Sequence, residues 1–292
     1  MENKFNRKIG ATILRVVLGF LILKDFIIYY NNRDYLFDKN GIVSYGTYTD
    51  ITNYLKSDWL YVDFGNKNNI TLFLIIGIIF SLLLFLGFFK KLSAIVLFLL
   101  LLIFKHRNIY LLDGGDNVIW ILLPFMSFID SHSFLKGYDN LINKISVKFK
   151  SYSIILSKYF SFAIIIQLSV IYLFASLHKL QGEVWLNGTA LYYVLKSEDF
   201  NASFINNIIA QSTYLVAFLT WLTIIFQLVF PFLIWNKKTK LIIILIGIFF
   251  HIGIFIMLRV DNFSFIMIGV YAILLYDNEY LNLFSKFKKL KK

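Results

Sequence analysis

Apolar stretches alternate with short polar segments along the whole chain. Eight of these stretches predict helices that cross a bilayer, whose hydrocarbon core of about 30 Å takes about 20 helical residues. They cover residues 9–30, 70–89, 92–112, 117–135, 154–178, 212–235, 240–258 and 262–277. We therefore expect an all-α fold, a polytopic membrane helix bundle of about eight transmembrane helices that forms a single domain over residues 1–292.

Positive charge is concentrated on one side of these spans. With the N-terminus in the cytoplasm, the cytoplasmic segments hold 17 of the 29 Lys and Arg residues. The opposite segments hold nine Lys and Arg residues against eleven Asp and Glu residues. Because cytoplasmic loops are enriched in Lys and Arg, this distribution predicts a multi-pass protein of the plasma membrane with both termini inside.

The composition narrows the possible chemistry. The formal net charge is +12, but the Lys-rich segment SKFKKLKK is typical of a cytoplasmic tail that contacts anionic membrane lipid, so no nucleic-acid partner is expected. The absence of cysteine excludes disulfides, Cys-based metal sites and thiol nucleophiles. The long external segments 31–69 and 179–211 have the length to cap an outward-facing cavity.

One polar connection is a first candidate site. The apolar parts of the third and fourth helices, residues 92–104 and 118–129, have 13 and 12 residues, and 13 helical residues are only about 20 Å long. Both helices reach full length only if the segment between them, KHRNIYLLDGGD, is partly sunk into the bundle. Irregular polar backbone at that depth needs protein or a water-filled cavity around it. We therefore predict that this segment lines a cavity.

Two interpretations of this connection stay open. Gly114 and Gly115 between two aspartates favour a turn with positive φ at one glycine, in which Asp113 and Asp116 cap the next helix. Alternatively, the two aspartates and His106 could form a metal site, although three side chains are few fixed ligands. His106 lies between two cations, which disfavour its charged form and leave a neutral ring for hydrogen bonding.

Charged and polar side chains also fall inside predicted spans. Arg15, Lys24 and Asp25 lie in the first helix, where a charge costs roughly 3 kcal/mol on insertion scales. Such residues usually face the bundle interior or a cavity, or reach to the interface. Arg15 is interpreted either as a paired structural arginine or as a cavity residue. His251 lies mid-span and is either a hydrogen-bonded packing residue or a cavity group.

The segment YLFASLHKLQGEVWLNGTALYYVL, residues 172–195, is a second candidate site. Lys179 lies where the apolar run of the fifth helix finishes. It could anchor the helix at the interface, in an aromatic belt with Trp185 and Tyr192. It could also act as a base, because a lysine against an apolar wall loses its charge more readily than one in water. On a continuing helix, Glu183 would share its face.

The order of these motifs resembles the HTTM family. This is the membrane domain shared by vitamin K-dependent gamma-carboxylase and short bacterial proteins of the sporulation-delaying protein B type. The resemblance covers nearly the whole chain. It rests on KHRNIYLLDGGD, on a Lys-Leu pair followed by a Trp and a Gly just outside the fifth helix, and on FFHIGIFIML and FSFIMIGVYAILLY.

The resemblance implies an activity and a set of site residues. In the carboxylase, the lysine at the position of Lys179 is the base that deprotonates reduced vitamin K, and the histidine at the position of His106 supports addition of CO2. The implied cofactor is reduced vitamin K or another quinol, with O2 and CO2. Residues expected at the cofactor are Trp185, His251, Asn108 and Tyr192. Residues expected around the substrate are Asp113, Asp116, Glu183, Arg107 and Arg15.

The chain also departs from the carboxylase. No segment in it is comparable to the large extracytoplasmic domain of that enzyme. Its length and plan are more similar to the bacterial B-type proteins, which act with a small partner in maturing a secreted peptide toxin. We therefore expect membrane lipid, a secreted peptide substrate and a small partner protein encoded nearby as partners. The alternative is a non-catalytic export or immunity factor for a peptide toxin, in which the charged residues would be structural.

Overall fold

Helices make up the regular structure of the described chain. A computed structural model describes residues 6–39, 41, 42, 44–57, 62–107, 109–135, 137, 138, 150–198, 200 and 203–290. Within those residues every regular element is a helix, so the predicted all-α class is confirmed there. In chain order the helices are α1 (Lys8–Asn31), α2 (Arg33–Phe37), α3 (Tyr45–Tyr54), α4 (Lys67–Leu86), α5 (Lys90–Arg107), α6 (Gly114–Met126), α7 (Lys150–Lys179), α8 (Glu183–Leu186), α9 (Ala190–Lys196), α10 (Phe204–Ala210), α11 (Thr213–Leu233), α12 (Lys240–Leu258), α13 (Asp261–Tyr271) and α14 (Asp277–Leu290).

Four helices of the described chain are long and apolar enough to cross a membrane, by length and composition. They are α4, α7 from Ser151 onwards, α11 and α12, and they match the second, fifth, sixth and seventh predicted spans. The other four spans stay predictions. Helix α1 has 24 residues but contains Arg15, Lys24 and Asp25, whereas α5 and α6 have 18 and 13 residues. Helix α13 and the turn after it form a shorter apolar helix.

The chain divides into two compact units. The first comprises Met1–Ser161 together with Leu275–Lys292, and the second comprises Phe162–Leu274. The boundary falls within α7, so this helix contributes its first part to one unit and its second part to the other. The two residues expected to be catalytic, His106 and Lys179, therefore belong to different units. The single domain stays a prediction.

In the first unit, α1 packs directly against α4 through two glycines. A Cβ atom at Gly19 would lie 2.5 Å from the Phe85 backbone nitrogen, and one at Gly77 would lie 2.4 Å from Phe26 Cε1. Any side chain at either position would push the two helices apart, so the glycines allow their close approach. The Phe26 ring then stacks 6.2 Å from the ring of Phe104, which brings in α5.

In the second unit, α7 contacts α11, α12 and α13 through the side chain of Tyr172. A Cβ atom at Gly247 of α12 would lie 2.5 Å from the Tyr271 hydroxyl oxygen, so α12 and α13 also approach closely through a glycine. The Asn206 amide of α10 donates a hydrogen bond to the Met257 carbonyl oxygen at 2.9 Å. This bond holds the short helices that follow α7 against the end of α12.

Candidate functional site

Lys179 is the last residue of α7 and ends a buried stripe along that helix. The stripe follows the helical repeat of three and four residues. Its members, each at most 2% exposed, are Ile165, Leu168, Tyr172 and Ser176. The half-buried Lys179 side chain continues the stripe and folds back, so that Nζ lies 3.5 Å from the Ala175 carbonyl oxygen and 5.0 Å from the centre of the Trp185 ring. The amine is therefore enclosed between a helix end and an indole.

Among the described residues, no carboxylate pairs with the Lys179 ammonium. Helix α7 ends at Lys179, and α8 begins only at Glu183, after Gly182. The two side chains therefore do not share the face of one helix, and Glu183 is exposed in the first turn of α8 without an ion pair to the lysine. A long backbone contact and an aromatic neighbour leave the amine nitrogen available to a ligand.

Trp185 is held over the lysine amine by a tight turn that rests on α11. Gly188, just after α8, has a φ of 78°, which residues with a side chain rarely adopt. A Cβ atom there would lie 3.2 Å from Trp221 Nε1. The Leu191 N–H then donates to the Thr220 hydroxyl at 3.2 Å. The Trp and the Gly of the motif therefore have separate roles: the indole covers the amine, and the glycine lets the turn approach α11.

The sequence interpretation included the glycine of the motif without assigning it a role in a turn, and it missed Thr220. The Asn-Gly pair in LNGT is a turn signal that could have identified Gly188. Nothing local marks Thr220, because its role depends on a contact 29 residues away. Tyr192 lies on α9 with its ring 5.6 Å from that of Tyr193, and its place at a cofactor stays a prediction.

His251 is hydrogen-bonded to a tyrosine of another helix. Its Nε2 atom lies 2.8 Å from the Tyr172 hydroxyl of α7, and that hydroxyl is also hydrogen-bonded to the Tyr271 hydroxyl of α13. The three side chains are at most 2% exposed. These contacts favour the hydrogen-bonded packing residue among the two interpretations of His251. A contact between His251 and a cofactor stays a prediction.

In the first unit, the first three residues of KHRNIYLLDGGD are helical, and the helix ends five residues before the predicted end of the third span, residue 112. Helix α5 continues to Arg107, so the Lys105–His106–Arg107 run forms its last turn. The Arg107 guanidinium is fully buried and donates to the Phe37 carbonyl oxygen of α2 at 2.6 Å. That carbonyl belongs to the last turn of α2, where the helix offers no donor. His106 is half-buried beside it. Asn108 lies outside the described residues.

The two aspartates of the connection cap α6. Asp113 Oδ1 accepts hydrogen bonds from the backbone N–H groups of Gly115, at 2.5 Å, and Asp116, at 3.1 Å, and Asp116 Oδ2 accepts from the Asp113 N–H at 2.7 Å. The predicted capping is therefore confirmed as a capping box. The predicted positive φ is wrong, because Gly114 and Gly115 already form the first turn of α6. The described residues contain no group of three His, Asp or Glu that could hold a metal ion.

Replacing Asp113 with alanine tests this capping role. We expect Asp113→Ala to lower the free energy of unfolding by about 1 kcal/mol, the usual value of an N-cap side chain. Asp113→Ser should retain most of the stability, because a serine hydroxyl can accept the same N–H bonds. Thermal unfolding of the purified protein in detergent measures both. Normal stability of Asp113→Ser with loss of activity would instead indicate that the carboxylate contacts substrate.

A small pocket opens beside this connection in the first unit. Residues of α1, α5, α6 and the connection line it, and its polar groups come from Asp25, Lys105, Asp116, Asn117 and Trp120. Lys105 Nζ lies 3.3 Å from Asn117 Oδ1, and the buried Trp120 Nε1 has no hydrogen-bond partner among the described residues. The pocket volume is about 40 Å³, which suits water or a small polar group, since sites for small-molecule ligands usually measure about 300–1,000 Å³. The outward-facing cavity stays a prediction.

Arg15 is bound to backbone carbonyl groups. It is 1% exposed, and its guanidinium donates to the carbonyl oxygens of Leu84, of Phe85 at 2.5 Å and of His132 at 2.9 Å. Leu84 and Phe85 lie in the last turn of α4, whose carbonyl groups lack partners within the helix. These contacts favour the structural interpretation of Arg15. A contact between Arg15 and substrate stays a prediction.

The structure thus assembles some of the predicted site residues and separates others. It brings Lys179 and Trp185 together in the second unit, and Asp113 and Asp116 together in the first. His251 bonds to Tyr172 two turns along α7 from the lysine. The joint action of a lysine and a histidine from different units stays a prediction.

Four apolar helices of membrane-spanning length place this chain in the class of all-helical membrane proteins. Residues 7–279 match the HTTM domain family, and the chain belongs to that family. The family resemblance inferred from KHRNIYLLDGGD and the Lys-Leu…Trp…Gly motif is therefore confirmed.

Two relatives from Bacillus subtilis (strain 168) share part of the sequence. Over 175 residues, which is 56% of this chain and 52% of the relative, the identity to "Sporulation-delaying protein SdpB" is 29%. Over 114 residues, which is 37% of each protein, the identity to "Uncharacterized protein YitO" is 36%. The aligned part thus spans about half or less of these relatives' own length. No solved structure matches the chain.

Proposed function

We propose that this chain is a membrane enzyme of the gamma-carboxylase-like HTTM family that modifies a secreted peptide at the extracytoplasmic face, with Lys179 as general base. The position of the Lys179 amine carries the proposal. It ends the buried stripe of α7, lies under Trp185 and pairs with no carboxylate among the described residues. A lysine without a counter-ion against apolar surface can lose its charge, and the neutral amine can then accept a proton. A lysine paired with a carboxylate stays charged and cannot.

The surroundings of the amine are aromatic and apolar, as a binding surface for a reduced quinone would be. Trp185 offers a flat aromatic surface, and its neighbours Val184 and Leu186 are 39% and 48% exposed, so α8 presents an apolar surface beside the amine. A bound quinol would supply an acidic ring hydroxyl and reducing equivalents for reaction with O2. Lys179 would accept the hydroxyl proton, and Trp185 would pack against the ring and exclude water.

The role we propose for His106, in the first unit, is to donate a hydrogen bond to negative charge that develops on a substrate. His106 lies half-buried in the last turn of α5, next in sequence to Lys105, which lines the small pocket. The HTTM resemblance supports this role, with CO2 as the group added.

The distribution of charge supports the side of the membrane. Lys179 and His106 both lie in or next to segments that the positive-inside pattern assigns to the extracytoplasmic face. On that side a base would meet a secreted peptide. The similarity to a protein named as sporulation-delaying is compatible with the secreted, toxin-like peptide that we propose as the substrate.

Mass spectrometry of a secreted peptide encoded beside this protein tests the proposal. The peptide is produced in the same host with the protein, without it, and with the Lys158→Ala variant as a control for expression, since Lys158 is an exposed lysine of the same helix. We expect the peptide mass to rise by one carboxyl group on a glutamate only when the protein is present. A peptide that is merely cleaved, or that is exported with its mass unchanged, would reject carboxylation and favour the non-catalytic export or immunity factor.

A further inference from the structure

Three polar side chains form a closed cluster inside the second unit. The Tyr172 hydroxyl of α7 is hydrogen-bonded to His251 Nε2 of α12 at 2.8 Å and to the Tyr271 hydroxyl of α13. The exposed fractions of the three residues are 2%, 0% and 1%. Polar groups sealed from water are costly unless they are bonded to one another, so this cluster strongly favours one arrangement of the three helices.

Aromatic rings enclose the cluster. The Tyr172 ring lies 4.4 Å from that of Phe230 and 5.5 Å from that of Phe226, both on α11, and the His251 ring lies 5.3 Å from that of Phe263. His251 Nδ1 has no hydrogen-bond partner among the described residues, so the bond to Tyr172 is the one that its ring makes there. Loss of the Tyr172 hydroxyl would therefore leave the buried imidazole without a partner.

The Tyr172 hydroxyl also makes the side-chain hydrogen bonds that join the described part of α7 in this unit to other helices. Within the described part of the unit, the other side-chain hydrogen bonds of α7 stay inside the helix: Ser169, Ser176 and Lys179 all contact carbonyl oxygens of the preceding turn. The rest of the α7 contact surface is apolar packing, which is not directional. Within the second unit, Tyr172 is therefore the α7 side chain whose hydrogen bonds relate the rotation of this helix to α12 and α13.

Tyr172 and Lys179 share a face of α7. They are seven positions apart, which corresponds to a rotation about 20° short of two full turns and to a rise of about 10 Å along the helix axis. Rotation of α7 would move the lysine side chain sideways, away from the turn that α11 holds through Gly188 and Thr220.

We propose that Tyr172, held by His251 and Tyr271, is a positioning residue that sets the rotation of α7 and thereby the placement of the Lys179 amine. The geometric part of this inference stands by itself, and its consequence for activity rests on the proposed function. A displacement of the reacting group by about 1 Å can lower a rate by roughly two orders of magnitude, so a hydroxyl two turns away would affect the chemistry.

Thiol labelling measures the rotation directly, because the chain contains no cysteine. The full-length protein is prepared in vesicles as two single-cysteine variants, His178→Cys at an exposed position and Lys179→Cys at the neighbouring half-buried position. The ratio of their labelling rates with a charged methanethiosulfonate reagent reports which face of α7 meets solvent. Each variant is then combined with Tyr172→Phe or with the matched control Tyr159→Phe, whose ring is exposed on the same helix.

We expect Tyr172→Phe to change the ratio several-fold and Tyr159→Phe to leave it unchanged. Tyr271→Phe, which keeps the Tyr172–His251 bond, should give a smaller change in the same direction and serves if Tyr172→Phe does not fold. An unchanged ratio in both cluster variants would overturn the inference, even if their melting temperature falls, since loss of stability alone does not alter the ratio in folded protein. The labelling rates are measured without substrate and report only which face of α7 meets solvent, so their outcome is independent of whether Lys179 is a base.

Discussion

Lys179→Ala is expected to abolish the modification of the secreted peptide while the protein stays in the membrane at its normal level. A positioned general base contributes roughly 10²- to 10⁴-fold to a rate, and no other amine lies under Trp185 among the described residues. The peptide product is measured by mass spectrometry at matched amounts of membrane protein. Lys158→Ala on the same helix should retain full activity, because that lysine is exposed and distant along the chain.

Lys179→Arg separates a base from a membrane anchor. Arginine keeps the positive charge and the long apolar stem, but its guanidinium does not lose a proton at neutral pH. We therefore expect Lys179→Arg to be as inactive as Lys179→Ala. Retained activity in the arginine variant would show that position 179 needs only a cation at the interface. The role of Lys179 as general base would then be rejected.

Arg15→Met is expected to destabilise the protein by about 3 kcal/mol or more. Hydrogen bonds to a charged group contribute about 1.5–3 kcal/mol each, and this guanidinium donates to three carbonyl oxygens, on Leu84, Phe85 and His132. Methionine fills part of the volume but leaves those carbonyl oxygens without the guanidinium donor. Thermal unfolding in detergent, followed by helical circular dichroism, measures the loss.

Two further variants define what the Arg15 result means. Arg259→Met removes an exposed arginine and should leave the melting temperature unchanged. Arg15→Lys should recover only part of the stability, because an ammonium cannot reproduce the planar set of donors. If Arg15→Met unfolds at the normal temperature but fails to modify the peptide, the arginine serves the site, as the alternative interpretation of the sequence predicts.

Local patterns account for the features that were predicted correctly. Whether a stretch forms a long apolar helix depends on consecutive residues and on their transfer from water, so α4, α7, α11 and α12 follow from hydropathy. The capping of α6 is equally local, because Asp113 and Asp116 are three residues apart. The wrong positive φ in the Gly-Gly pair arose within the same segment. Glycine permits a positive φ without requiring it. Because Asp113 is the N-cap of α6, both glycines already have helical backbone angles.

The site itself was only partly predictable. Lys179 and Trp185 were identified together because only six positions separate them, and a helix end followed by a short turn brings such residues together. The partner that covers the turn from α11, Thr220, carries no local signal. The carbonyl acceptors of Arg15 and the hydrogen-bond partner of His251 were also missed. The acceptors lie 69 to 117 residues from Arg15, and Tyr172 lies 79 residues from His251.

The sequence by itself therefore determined that this is an HTTM-family helical membrane protein, which stretches form its long helices, and that a lysine ends one of them beside a tryptophan. Only the tertiary structure decided that Arg15 caps the end of α4 and that Tyr172 joins His251 and Tyr271. The physical reason is the range of the interactions. Hydropathy acts over neighbouring residues, whereas the partner of a buried polar group is set by which helix faces pack together.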